Sequence, residues 1–125
     1  MKIEKILAFE KVYPILKELP LNIKTSYTLA KIHQLAESDV QFYQQNFANI
    51  IMKYGEKDED GNIKQTQDFI PVKEDMIQEC EKAMNDLHNF EIPDYDNLKI
   101  SLNDLGNIEL SPEHLQNLLP FINEE

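Results

Sequence analysis

Two apolar stripes at helical spacing, separated by an acidic turn, constrain this 125-residue chain more than any other feature. The first runs Leu29, His33, Ala36, Val40, Tyr43, Phe47, Ile50, Tyr54; the second runs Met76, Cys80, Ala83, Leu87, Phe90. Steps of four and three residues alternate along both, which keeps the side chains on one helix face. The turn, Glu56-Lys57-Asp58-Glu59-Asp60-Gly61-Asn62, carries the strong Asp-Gly turn signal. The spacing predicts a mainly α protein built on a long antiparallel, coiled-coil-like helical hairpin over residues 22–90, with its acidic tip at 55–72. A small β element and short terminal helices complete the expected fold. The length fits a single domain, 1–125.

The first arm is expected from Ile23 to Tyr54, with Asn22 as N-cap and Gly55 as the stop. It would measure about 48 Å at about 1.5 Å per residue. A second apolar file, Ile32, Leu35, Phe42 and Ile51, widens its apolar face beyond what one partner needs. Ile63 and the run Phe69-Ile70-Pro71-Val72 suit a small β-ribbon at the tip. The second arm is expected from Lys73 to Asn89. Ahead of the hairpin, residues 3–19 read as a helical unit. Pro14 leaves two alternatives there: a kinked helix, or a short strand near Lys2–Ile6 leading into a shorter helix. After it, Glu91–Asp96 reads as an acidic linker containing Pro93. Residues 97–125 then supply a short strand through Leu98, Ile100 and Leu102, with Ile108 and Leu110 continuing a sheet edge. A C-terminal helix opens at Ser111-Pro112 and carries Leu115, Leu118, Leu119 and Ile122. Pro120 keeps that helix short or kinked.

Charge narrows the function classes. The chain carries 12 basic residues, all lysine, against 23 acidic ones, a net of -11. Residues 56–125 hold eighteen of the acids and only five of the lysines. Such a surface repels a phosphate backbone, and arginine, the usual bidentate reader of phosphate and guanine, is missing. Direct nucleic-acid binding is therefore not expected. No apolar run reaches the length of a membrane span, and the N-terminus has no signal-peptide pattern, so no membrane partner is expected. The single Cys80 excludes an internal disulfide and suits a reducing compartment.

No motif carries catalysis. Gly61 could take the glycine position of a calcium loop, with Glu56, Asp58 and Asp60 at early ligand positions. The closing carboxylate position would then be Gln67, so the tip reads as a solvated acidic turn. The histidines His33, His88 and His114 lack metal-ligand spacing. His33 and His88 would meet only through the pairing of the two arms. Cys80 lies between Met76 and Ala83 on an apolar stripe and reads as a small core residue. No catalytic residue, metal or cofactor is expected. Tyr27 and Phe42 fall off the strict stripe, and with Asp58, Glu59 and Asp60 they are the candidate partner-binding residues.

Three stretches resemble one protein family: Leu19-Pro20-Leu21 with Lys24-Thr25-Ser26-Tyr27-Thr28-Leu29-Ala30-Lys31; Ile50-Ile51-Met52-Lys53-Tyr54-Gly55 running into the acidic turn; and Leu110-Ser111-Pro112 with Leu119-Pro120-Phe121-Ile122-Asn123-Glu124-Glu125. They are similar to a group of small phage and prophage proteins from low-GC Gram-positive bacteria. The resemblance spans nearly the whole chain and brings no catalytic residues. It implies a phage context: bacterial host cytoplasm, or association with the virion. The expected function is a non-enzymatic accessory role through protein binding or self-association, including a homo-oligomer, in virion or tail assembly. The alternative is an acidic inhibitor that mimics nucleic acid against a host nucleic-acid-processing or defence protein.

Overall fold

A computed structural model describes residues 1–65, 70–106 and 108–123. The protein is mainly helical. Among the described residues, four helices, α1 (Ile3–Leu16), α2 (Ile23–Tyr54), α3 (Ile77–His88) and α4 (Pro112–Leu118), accompany two short strands, β1 (Ile100–Ser101) and β2 (Ile122–Asn123). The chain divides into two compact units, residues 1–40 with 91–125, and residues 41–90.

The first unit holds most of the core. Helix α1 buries Ile3, Ile6, Phe9, Val12 and Leu16 at helical spacing and packs on α4. Pro14 sits in its last turn without breaking it, so of the two alternatives the strand near Lys2–Ile6 is set aside and the helix is found. Lys2 makes only an isolated antiparallel bridge to Glu91. The expected Glu91–Asp96 linker keeps its acidic residues exposed but contributes Ile92 and Tyr95 to the core. Its Pro93–Tyr95 stretch forms a 3-10 turn, Ile92 N–H donates to Met1 O at 2.8 Å, and Tyr95 is fully buried. Tyr95 and Phe9 both pack on Phe121, with ring centroids 6.1 and 5.0 Å away.

Helix α2 starts where its sequence signals it. Asn22 Oδ1 accepts from Thr25 N–H at 2.8 Å, capping an orphan donor. In this unit the buried file is Thr25, Leu29, Ile32 and Ala36. That differs from the expected stripe: Ile32 takes the core position and His33, one residue on, is half-buried. The difference is chemical, since His33 has carboxylates on both sides and Ile32 has none.

The β element is smaller and differently paired than expected. Ile100 pairs with Ile122 and Ser101 with Asn123, in parallel, with α4 between the strands in sequence. Leu102 already belongs to a 3-10 turn, Leu102–Leu105. Gly106 follows at φ 54, a left-handed conformation that glycine takes without steric cost. Ile108 and Leu110 form no sheet edge. Helix α4 begins as its sequence implies, with His114 N–H on Ser111 Oγ at 3.2 Å and Pro112 at N1. It ends in a 3-10 turn, Leu119–Phe121, at Pro120, so Ile122 lies in β2 rather than on the helix.

The second unit contains the C-terminal part of α2, the acidic loop, and α3 preceded by a 3-10 turn at Glu74–Met76. Among its described residues only Tyr54, Gly55 and Leu87 are buried; Val40 beside it and Tyr43, Phe47, Ile50, Met76, Cys80 and Ala83 are half-buried. Tyr54 O accepts from Lys73 N–H and Pro71 O from Glu56 N–H, both at 2.8 Å. The expected ribbon is reduced to isolated bridges, Gly55 to Val72 and Lys57 to Ile63; Phe69, its other proposed member, lies outside the described residues.

Gly55 is required by a close approach. A β-carbon there would lie 2.7 Å from the backbone oxygen of Ile51. Gly55→Ala is therefore expected to destabilise the protein by roughly 1–3 kcal/mol, read as a lower urea midpoint. A change below about 0.5 kcal/mol would show that the turn relaxes freely.

Candidate functional site

The second unit leaves large apolar side chains in water. Phe90, just beyond α3, is 49% exposed and Phe42 on α2 is 39% exposed. Their rings pack on each other with centroids 5.4 Å apart. Ile77 and Met52 are also exposed. Beside the phenylalanines, the Tyr43 hydroxyl lies 2.9 Å from His88 Nε2, and the Tyr43 ring stacks on Phe47 at 5.9 Å. Burial raises the Tyr43 phenol above the ordinary phenol range, so the hydroxyl stays protonated. This polar pair stands one residue from Phe42 and two from Phe90 in the sequence, with the Phe47 ring against Tyr43. Exposed apolar groups of this size that touch one another differ from scattered single exposures and mark interaction surfaces.

Phe90 was expected on the helix-packing stripe. It falls past the end of α3 and meets Phe42 instead, so two residues assigned to separate roles form one feature. The other off-stripe aromatic, Tyr27, is 68% exposed in the first unit.

In the acidic loop, Asp58 holds the turn together. Its Oδ1 accepts from Asp60 N–H at 2.9 Å and from Asn62 N–H at 3.0 Å. Asp58 N–H donates to Asn62 O at 2.8 Å. Gly61, at φ 82, lets the chain reverse there. Asp58, Glu59 and Asp60 are all exposed. Gln67, the residue aligned with the closing calcium ligand, lies outside the described residues.

The first unit holds a polar cluster that sequence spacing did not reveal. His33 Nδ1 lies 2.9 and 3.0 Å from the two Glu10 oxygens, and Nε2 lies 2.9 Å from Glu37 Oε1. The Tyr13 ring stacks on the imidazole, centroids 4.1 Å apart and ring planes nearly parallel. Close by in sequence, Asp39 Oδ2 accepts from the Tyr95 hydroxyl. Burial and the neighbouring carboxylates raise the Tyr95 phenol far above the ordinary range. These bonds link α1 and the Pro93–Tyr95 turn to α2. The carboxylates sit on opposite ring nitrogens of His33 and do not converge on one point. Among the described residues, no group of three or more His, Cys, Asp or Glu is arranged to hold a metal ion. His88 has its own partner, Tyr43, in the other unit.

Among the described residues, the cavities of the first unit include the following two. One, of about 390 Å³, is lined largely by Leu102, Leu105, Ile108, Leu110 and Leu115. The other, of about 140 Å³, has Lys24, Lys99, Thr25, Thr28 and Asp104 on its walls. Lys99 Nζ already donates to Pro120 O at 2.5 Å. Among the described residues, no helix is long and apolar enough to cross a membrane. No family model matches the chain, and no curated protein or solved structure matches it significantly.

Proposed function

We propose that this chain is a non-enzymatic phage or prophage accessory protein that binds another protein in a structural or assembly role in the virion or tail. The observation that carries the reading is the exposed Phe42–Phe90 pair in a unit with few buried side chains. On this reading the C-terminal part of α2 and α3 are arms of an antiparallel helical hairpin. The Tyr43–His88 contact and the Tyr54–Lys73 hydrogen bond support that pairing. The partner is a virion protein with an apolar groove that takes the two rings. Burying them would complete the unit, since a large aromatic side chain contributes about 1.5–3 kcal/mol on full burial.

The exposed acidic residues of the loop favour a second reading, the inhibitor of a host nucleic-acid-processing or defence protein. The two differ in salt response. Apolar burial survives moderate salt, whereas exposed charge contacts are screened within about 8 Å at physiological ionic strength.

The test is capture of partners on tagged full-length protein from phage-infected cells at low and moderate salt. Virion proteins are expected at both salts. Phe42→Ser with Phe90→Ser should reduce capture at least about tenfold while leaving the circular dichroism spectrum unchanged. Recovery of a host nuclease that is lost at moderate salt would replace the assembly reading with the inhibitor.

A further inference from the structure

The outer face of α2 in the second unit lacks charge, which is unusual for this chain. Between Asp39 and Lys53 there is no Asp, Glu, Lys or Arg, although charged residues make up 28% of the chain. Gln41, Gln45, Ala48 and Met52 recur on this stretch in steps of four, three and four, and all four are exposed. By helical geometry they lie opposite the Tyr43–Phe47–Ile50–Tyr54 file. The 4-3-4 spacing is that of a narrow helix-pairing seam.

We infer that this seam pairs with the same seam of a second copy, as an antiparallel two-fold dimer centred between Gln45 and Ala48. The inference deepens the protein-binding reading and names one partner. Three observations choose a second copy. A two-fold contact sets a patch against itself, so any charge on it meets its own sign. Two chains of net charge -11 repel, and this stretch of α2 lets their helices meet without opposing carboxylates. In an antiparallel register each glutamine faces an uncharged residue, Ala48 or Met52, so no amide is set against a charge. The spacing also reads the same in both directions. Antiparallel pairing sets Gln45 against Ala48 of the second copy, long against small, and Gln41 against Met52. Alternating large and small side chains across a seam is how facing helices interlock.

The experiment is sedimentation equilibrium of the full chain at near-physiological salt, over a roughly hundredfold concentration range. The wild type is expected to pass from monomer to dimer. Ala48→Glu should weaken association at least about tenfold, because it brings one glutamate from each copy onto the seam, close to its like on either side of the two-fold axis. Adding Gln45→Lys to Ala48→Glu should restore the dimer, since each lysine then faces a glutamate of the other copy. Both positions are exposed and both replacements are good helix formers, and an unchanged circular dichroism spectrum certifies the fold. A wild type that stays monomeric throughout, or a dimer indifferent to Ala48→Glu, overturns the inference. A double variant as weak as the single one overturns the antiparallel register. None of these outcomes depends on Phe42 and Phe90, so loss of the dimer and loss of virion-protein capture are separate results.

Discussion

Phe9→Ala is expected to cost about 3–5 kcal/mol, the range for truncating a fully buried phenylalanine. Phe9 has no exposed surface and lies edge-on to Phe121, itself fully buried, at 5.0 Å. Phe121 in turn carries Tyr95. Removing the Phe9 ring opens a space walled by aromatic groups on α1 and the Leu119–Phe121 turn, which are too rigid to close it. A domain of this size is stable by about 5–15 kcal/mol, so the loss removes about a fifth of that stability or more. The measurement is urea unfolding, with the midpoint falling and the slope little changed. Phe90→Ala is the control. It removes a ring of the same size at a half-exposed position and should cost less than about 1 kcal/mol. A Phe9→Ala loss as small as that of Phe90→Ala would place Phe9 outside the packed core.

This contrast between the two phenylalanines shows what the sequence could and could not disclose. Long elements with chemical end signals were legible. Helix α2 follows from Asn22, an unbroken apolar rhythm and Gly55; the start of α4 follows from Ser111-Pro112. Phe121 and Tyr95 were not legible, because each lies in a 3-10 turn of three residues, too short for any period to appear. Tyr95 stands among Asp94, Asp96 and Pro93, a composition that suggests a solvated linker. Its burial depends on Asp39, 56 positions away, accepting the hydroxyl's hydrogen bond. The parallel pairing of Ile100 with Ile122 is likewise long-range, and two-residue strands leave no alternation to read. The exposed aromatic pair was half visible. Phe42 fell off the apolar rhythm, whereas Phe90 sat on it and left the expected face only because α3 ends at His88. The His33 cluster depends on Glu10, which reaches it from another helix.

Raising the pH past the ordinary phenol range should unfold the protein through Tyr95. In the unfolded chain this phenol titrates near 10.0; in the folded protein, burial first and then the Asp39 hydrogen bond and nearby carboxylates hold it protonated well above that. The folded state therefore binds more protons than the unfolded state once pH exceeds the unfolded value. Stability then falls with rising pH, by up to about 1.4 kcal/mol per unit for one proton. Below that range both states hold the proton, and the contribution is fully present and constant. Tyr43, raised by burial alone, adds a slope of the same sign. Tyr95→Phe isolates the Tyr95 part. At neutral pH it should cost about 1–3 kcal/mol, because the ring remains packed while Asp39 loses a donor. Above the phenol range its stability should decline less steeply than that of the wild type, so the two curves converge. Urea midpoints taken at half-unit steps from neutral to strongly alkaline pH measure both effects, and lysine titration, common to the two proteins, cancels in the difference. Parallel curves would mean that Tyr95 ionises freely in the folded protein, and the buried link between the Pro93–Tyr95 turn and α2 would have to be abandoned.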